Sequence, residues 1–267
     1  MNNDKAIGIF DSGLGGLTVV KEAMKVLPYE DIIYFGDTAR VPYGTKSKKT
    51  IEKFSRENAA FLSKFKVKLI VVACNTSSSL ALDSLKRNFE VPVVGVIEAG
   101  VREAFAKSSS GRIGVIGTRA TISSGVYQKA LNGCGKGIKV FSASCPLFVP
   151  LVEEGWLNKD VTTLIAAQYL KPLINSKVDT LILGCTHYPL LKNTIGKVMG
   201  KRVTLINSAT AVAVEVKNIL EEKGLKRVKR VKPEYKFFVS DEPKLFLKEG
   251  SKFLGRKITN IKRVNNV

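Results

Sequence analysis

At 267 residues the chain can bury a sizeable core and has room for one large domain or two small ones. Its 45% hydrophobic and 25% charged residues are ordinary for a globular protein, its apolar runs fall far short of the ~18 residues a membrane helix needs, and Met1-Asn2-Asn3-Asp4-Lys5 does not read as a secretory signal. The formal charge of +20 is the unusual bulk property, with 13 Lys and Arg against 4 Asp and Glu from Leu225 to Val267.

Apolar runs alternate with amphipathic stretches along the chain. Ile7-Gly8-Ile9-Phe10 reads as a short buried strand, followed by a glycine turn and a helix from about Leu17 to Val26. Asp31 to Phe35 is predicted as the second strand, Thr50 to Phe65 as a helix and Leu69 to Ala73 as the third strand. Ser77 to Asn88 has helical spacing, and Val91 to Ile97 is predicted as the fourth strand. Short apolar strands separated by helices are the pattern of a parallel sheet covered on both faces, so the class is α/β.

The second half repeats the first. Ile113 to Thr118 echoes Ile7 to Ser12 at an offset of 106, the segment around Cys185 echoes that around Cys74 at 111, and Val203 to Ser208 echoes Val91 to Val96 at 112. Landmarks in the same order at a nearly constant offset predict two similar lobes, each a mostly parallel sheet flanked by helices, related by pseudo-twofold symmetry. The expected division is residues 1–97 with 208–267 for the first lobe and 98–207 for the second. Open parallel sheets bind ligands at the carboxyl ends of their strands, which puts the expected site in the cleft between the lobes.

The four cysteines, at 74, 134, 145 and 185, have no CxxC or zinc-type spacing and are expected as free thiols in a reducing cytoplasm. A buried free cysteine is usually a small hydrophobe, and Cys134 and Cys145 are read that way. Cys74 and Cys185 differ, because each ends an apolar run and is followed by small polar residues. A helix starting just after each, capped by Asn75-Thr76-Ser77 and by Thr186-His187, would favour a thiolate. Two such thiols suit a reaction that needs one acid-base group on each side of a substrate.

His187, the only histidine, stands two residues after Cys185, where it can orient or tune that thiol. Asp11 ends the first strand and either faces the same rim as Cys74 or caps the next helix. The turn from Asp11 to Leu17 fits neither the phosphate-loop pattern, for want of a Lys-Ser or Lys-Thr, nor GxGxxG. It is read as a tight turn whose backbone lies close to a small ligand. Thr38 to Gly44, opened by Asp37, is another strand-end loop of the kind that builds sites.

Six stretches together carry a family resemblance: IGIFDSGLGGLTV at 7 to 19, YFGDTARVPYG at 34 to 44, VVACNTSSS at 71 to 79, VPVVGVIEAG at 91 to 100, VPLVEEG at 149 to 155 and LILGCTHYPLL at 181 to 191. On these motifs the chain resembles the glutamate racemases of the aspartate/glutamate racemase superfamily; beyond about Lys226 the resemblance fades. It implies interconversion of L- and D-glutamate without pyridoxal phosphate, metal or any other cofactor, feeding D-glutamate to peptidoglycan synthesis. It implies that Cys74 and Cys185 are the catalytic pair, with acid-base helpers at Asp11, at His187 and at one of Glu153 and Glu154, of which Glu153 is favoured. Substrate contacts are implied at Asp11, Ser12, Tyr43, Gly44, Asn75, Thr76, Thr186 and His187, with Thr118 and Thr121 added from the second lobe's counterpart of the first loop.

The expected partners are the small-molecule substrate glutamate and a second copy of the chain in a homodimer, with no membrane, and the expected location is cytoplasmic. A related racemase acting on aspartate or another small acid would keep both cysteines and differ where the side-chain carboxylate binds. A basic nucleic-acid-binding protein on a racemase fold is the rival from another class. Specific nucleic-acid binding is not expected, since net charge speaks only to non-specific association, and Tyr235, Phe237, Phe238, Phe246 and Phe253 read as anchors of the basic segment onto a core.

Overall fold

The computed structural model describes residues 3–265. Among the described residues, ten strands form two separate, wholly parallel sheets. They are β1 (Ile7–Asp11), β2 (Ile32–Gly36), β3 (Leu69–Val72), β4 (Val93–Gly95), β5 (Arg112–Gly117), β6 (Lys139–Ser144), β7 (Thr180–Gly184), β8 (Thr204–Asn207), β9 (Tyr235–Val239) and β10 (Ile261–Arg263). The first sheet runs β10-β9-β2-β1-β3-β4 and the second β6-β5-β7-β8. Every residue of β1, β2, β3 and β7 is buried, as strands covered by helices on both faces require.

The internal repeat is visible strand for strand. The order β2-β1-β3-β4 of the first sheet recurs as β6-β5-β7-β8 in the second. Both β1 and β5 are central, each pairing with the strand that precedes a cysteine. The first sheet is longer because β9 and β10 extend it beyond β2. Phe237, Phe238, Phe246 and Phe253 are buried in doing so, with Phe238 edge-on to Phe61 at 5.3 Å and Phe237 6.3 Å from Tyr34. The basic segment is therefore anchored by its aromatics. Its connection to the body runs over a buried ion pair between Lys68 and Glu30, where the Arg227 N–H also donates to Glu30 at 2.7 Å.

Two local expectations need correction. The fourth strand stops at Gly95, and Val96 and Ile97 open a helix that continues to Lys107. The Val96 N–H turns to the Ser78 hydroxyl at 3.3 Å, and a Cβ at Gly95 would lie 2.8 Å from Leu82, so the ladder ends where the backbone closes on its neighbour. The echo segment behaves alike: β8 ends at Asn207, whose side chain accepts from the Ala209 N–H at 3.1 Å and opens the helix Ser208–Glu222. The helix predicted from Ser77 to Asn88 is two helices, Asn75–Leu80 and Leu82–Asn88, broken at Ala81.

Candidate active site

Each sheet delivers one thiol to the same cleft. Cys74 takes the N-cap position of the helix Asn75–Leu80 and its carbonyl accepts from the Ser78 N–H at 2.8 Å. Cys185 follows β7, but no helix begins there: Thr186 and His187 intervene, a single 3-10 turn spans Tyr188–Leu191, and an α-helix starts only at Lys192. No side chain caps either start. A helix N-terminus therefore stands behind Cys74 alone. Cys74 and Cys185, 5% and 7% exposed, both line a cavity of about 360 Å³. Cys145 and Cys134 stay outside it; Cys145 is fully buried and its carbonyl accepts from the Tyr188 hydroxyl at 2.9 Å.

The surroundings of the two thiols differ in charge. Around Cys74, burial and then the Asp11 carboxylate push the thiol up to about 12, against polar contacts with Ser77 and with Ser12, whose hydroxyl accepts from the Cys74 thiol at 3.8 Å. Burial thus outweighs the helix N-terminus, and Cys74 rests as a thiol. Asp11 is itself pushed up by burial, opposed by His187 and by backbone N–H groups. Its Oδ2 accepts from Gly13 at 3.1 Å and Gly16 at 2.9 Å, while Oδ1 has no hydrogen-bond partner. Asp11 closes the glycine turn and stands near Cys74, but it does not line the cleft, and the helix Leu17–Val26 has no side-chain cap.

On the Cys185 side the neighbour is cationic. His187 Nδ1 lies 3.9 Å from the Cys185 sulfur, and Nε2 lies 2.9 Å from Glu153 Oε1. Burial disfavours the imidazolium, yet the hydrogen bonds to Cys185 and Glu153 overcome it and raise His187 to about 10. Glu153, rather than Glu154, makes this contact. The Phe253 ring meets the imidazole edge-on at 5.4 Å, a brace from the C-terminal segment that no sequence motif announced.

Most of the glycine turn packs tightly against protein. A Cβ at Gly15 would collide with the Thr186 hydroxyl and lie 2.6 Å from His187 Nδ1, and one at Gly16 would strike Asp11. Only Ser12 and Gly13 of the turn face the cleft. Thr18 closes the same junction, donating to the Thr186 carbonyl at 3.1 Å. Threonines meet on the other flank: Thr76 Oγ1 is 3.1 Å from Thr118 Oγ1 and 3.3 Å from Thr121 Oγ1. Thr118 lines the cleft, whereas Thr121, 1% exposed, sits behind it.

Tyr43 and Gly44 also line the cleft, but the Tyr43 hydroxyl points away, donating to Asp37 and accepting from Asn58 at 3.1 Å. Asp37 further accepts from Arg40 Nε at 2.7 Å and from Ser240 at 3.0 Å. A buried carboxylate thus ties the 37–45 loop to the end of β9. The sequence reading missed this network and the apolar wall of Pro146, Val149 and Pro150, though the last two lie in one of the quoted motifs. Among the described residues, no group of three or more His, Cys, Asp or Glu is arranged to hold a metal ion.

A model of the family described as Asp/Glu/Hydantoin racemase matches residues 18–216. The chain belongs to this racemase family. A glutamate racemase of Geobacter metallireducens is 52% identical over 261 residues, covering 98% of this chain and 97% of its own. One from Neisseria meningitidis is 46% identical, covering 99% and 98%. Among solved structures, the glutamate racemase of Francisella tularensis in complex with D-glutamate superposes with a TM-score of 0.93 at 41% identity, covering 98% of each chain. A glutamate racemase isoform of Bacillus anthracis reaches 0.95 at 40%, covering 99% and 98%. An aspartate racemase homologue from Pyrococcus horikoshii, 21% identical with a TM-score of 0.59, shares the racemase fold alone. The two-sheet architecture is thus that of the family, and the chain is an amino-acid racemase, an isomerase.

Proposed function

We propose that this protein interconverts L- and D-glutamate by a two-thiol, two-base mechanism without a cofactor. The observation that carries the reading is the placement of two topologically equivalent buried thiols in one cleft, in a chain whose relatives across its whole length are glutamate racemases. Inverting a stereocentre through a planar carbanion needs a base on one face and an acid on the other. In one direction Cys74 as thiolate takes the α-proton while Cys185 as thiol delivers a proton to the opposite face; the other enantiomer reverses the roles. Asp11 serves the Cys74 side, and His187 with Glu153 the Cys185 side. The α-proton is a very weak acid, so the site must hold charge that spreads onto the carboxylate in the transition state. Ser12, Asn75, Thr76, Thr118 and Thr186 offer hydroxyl, amide and backbone donors around the thiols, with Tyr43, Gly44 and Thr121 shaping the pocket.

The same reading extends to the D-glutamate requirement of peptidoglycan synthesis, to a cytoplasmic location and to a homodimer. It divides the chain into one lobe of residues 1–97 with 208–267 and another of 98–207, the chain crossing at the helices that follow β4 and β8. Among the described residues no helix is long and apolar enough to cross a membrane.

The test is proton NMR of the purified protein with L-glutamate in D2O, without cofactor and with reductant, alongside optical rotation. Loss of the α-proton signal together with rotation supports the proposal. The same outcome with L-aspartate and not L-glutamate would move the substrate to the rival acid. Exchange of neither by folded protein would overturn the racemase reading and turn attention to the basic surface, whose salt-sensitive DNA binding would then survive Cys74→Ser.

A further inference from the structure

Asn75 lies next to Cys74, 4% exposed, on the wall of the cleft. A primary amide can present either its oxygen or its nitrogen to a ligand, and an anionic carboxylate is served only by the nitrogen. Something must therefore choose the orientation of the Asn75 amide. The neighbour that does so comes from the opposite lobe. Tyr127, in the helix Val126–Asn132, the second helix between β5 and β6, is 3% exposed and donates its phenolic proton to Asn75 Oδ1 at 2.7 Å.

The amide oxygen is the only end of Asn75 that can accept the phenolic proton, so this hydrogen bond fixes which way the amide faces. The Asn75 Nδ2 is left with no protein acceptor among the described residues.

We propose that Tyr127 is a positioning residue that orients the Asn75 amide, so that Nδ2 is presented to a carboxylate of the amino-acid substrate. The proposal rests on the reading of Asn75 as a substrate contact. Because donor and acceptor sit on different lobes, the amide is oriented only when the second lobe's helix is docked against the start of the first lobe's helix. Binding competence at Asn75 is thereby coupled to the arrangement of the two sheets.

The experiment compares Tyr127→Phe, Asn75→Ala and the double variant in steady-state kinetics with both glutamate enantiomers, together with thermal unfolding. The expected result for Tyr127→Phe is a KM raised about tenfold, equivalent to about 1.4 kcal/mol, with kcat within about threefold of wild type and an unfolding midpoint shifted by only a few degrees. Asn75→Ala raises KM at least as far, and adding Tyr127→Phe to it costs nothing more, because the two act through one contact. An Asn75→Ala protein with unchanged KM overturns the underlying reading of the site. A raised KM in Asn75→Ala beside an unchanged one in Tyr127→Phe, or additive effects in the double variant, overturns the positioning role. Should Tyr127→Phe fail to fold, Tyr127→Met decides: a KM raised about tenfold at near-constant kcat supports the positioning role, and an unchanged KM overturns it.

Discussion

Cys74 and Cys185 occupy one topological position in two different sheets. Each follows the strand that lies beside the central strand on the side away from the second strand of its lobe, β3 next to β1 and β7 next to β5. The thiols are therefore products of the same local rule applied twice, and the cleft between the sheets receives one from each. Their chemical settings diverge all the same: a buried carboxylate stands near Cys74 and an imidazole near Cys185. The cleft thus has a thiol beside a carboxylate on one wall and a thiol beside an imidazole on the other.

Replacing either thiol should leave the fold and remove the reaction. Cys74→Ser and Cys185→Ser each are expected to lose about 10³-fold in rate from both enantiomers, within the range by which a positioned acid or base accelerates proton transfer. Polarimetry starting from L- and from D-glutamate measures the loss, and thermal unfolding checks that neither variant is misfolded. Near-normal racemisation by either one rules out the two-thiol scheme.

The Asp11 carboxylate is predicted to protect Cys74 from alkylation. Burial and that negative charge hold the thiol near 12, and the thiolate is the reacting species. Iodoacetamide should thus label Cys74 slowly at neutral pH and steadily faster as the pH rises, read by mass spectrometry of the peptide. Asp11→Asn removes the negative charge, lowers the thiol's pKa and should speed labelling at any given pH. Slower or unchanged labelling would show that Asp11 does not act on this sulfur.

His187 links stability to pH in a direction that can be worked out. Its folded value is raised to about 10, above the ~6.5 of an unfolded histidine. A raised group contributes its full stability below the unfolded value and loses it as the pH climbs through the folded one. The difference in unfolding midpoint between wild type and His187→Asn should be largest near pH 6 and shrink toward pH 10. Glu153→Gln weakens one of the bonds that raise the imidazole, and should narrow that window from the high-pH side. A difference that grows with pH would contradict the charged state assigned to His187.

The two-sheet plan and both thiols could be read from the chain because period and position carry them: buried parallel strands are continuous apolar runs, and a duplicated βα series repeats at a fixed offset. Joints were less legible. Val96 and Ile97 are apolar enough to continue a strand, but the strand ends where Gly95 packs closely on Leu82 and the Val96 N–H turns to Ser78. The absence of a helix after Cys185 escaped because Thr186-His187 resembles a cap while Tyr188–Leu191 makes only a 3-10 turn. Contacts between distant segments left no local trace at all. Phe253 on the His187 ring, Asp37 joined to Ser240 and Tyr127 on Asn75 each depend on how one element docks on another.

Gly15 gives the last test, because its requirement comes from across the cleft and not from its own turn. The helix it precedes would tolerate an alanine, but the added Cβ would occupy the space of the Thr186 hydroxyl and approach His187 Nδ1 to 2.6 Å. Thr186 and His187 must then move, and with them the loop that carries Cys185. Displacements of the order of 1 Å at reacting groups cost about 10²-fold in rate, and overpacking costs about 1–3 kcal/mol in stability. Gly15→Ala should therefore show kcat/KM lowered about 10²-fold with a modest loss in urea stability. Gly196→Ala is the matched control: in the helix Lys192–Met199 its Cβ meets only Leu205 at an ordinary 3.7 Å, and replacing a helical glycine gains about 0.5–1 kcal/mol. Full activity in Gly15→Ala would mean that the glycine turn and the Cys185 loop do not hold each other in place.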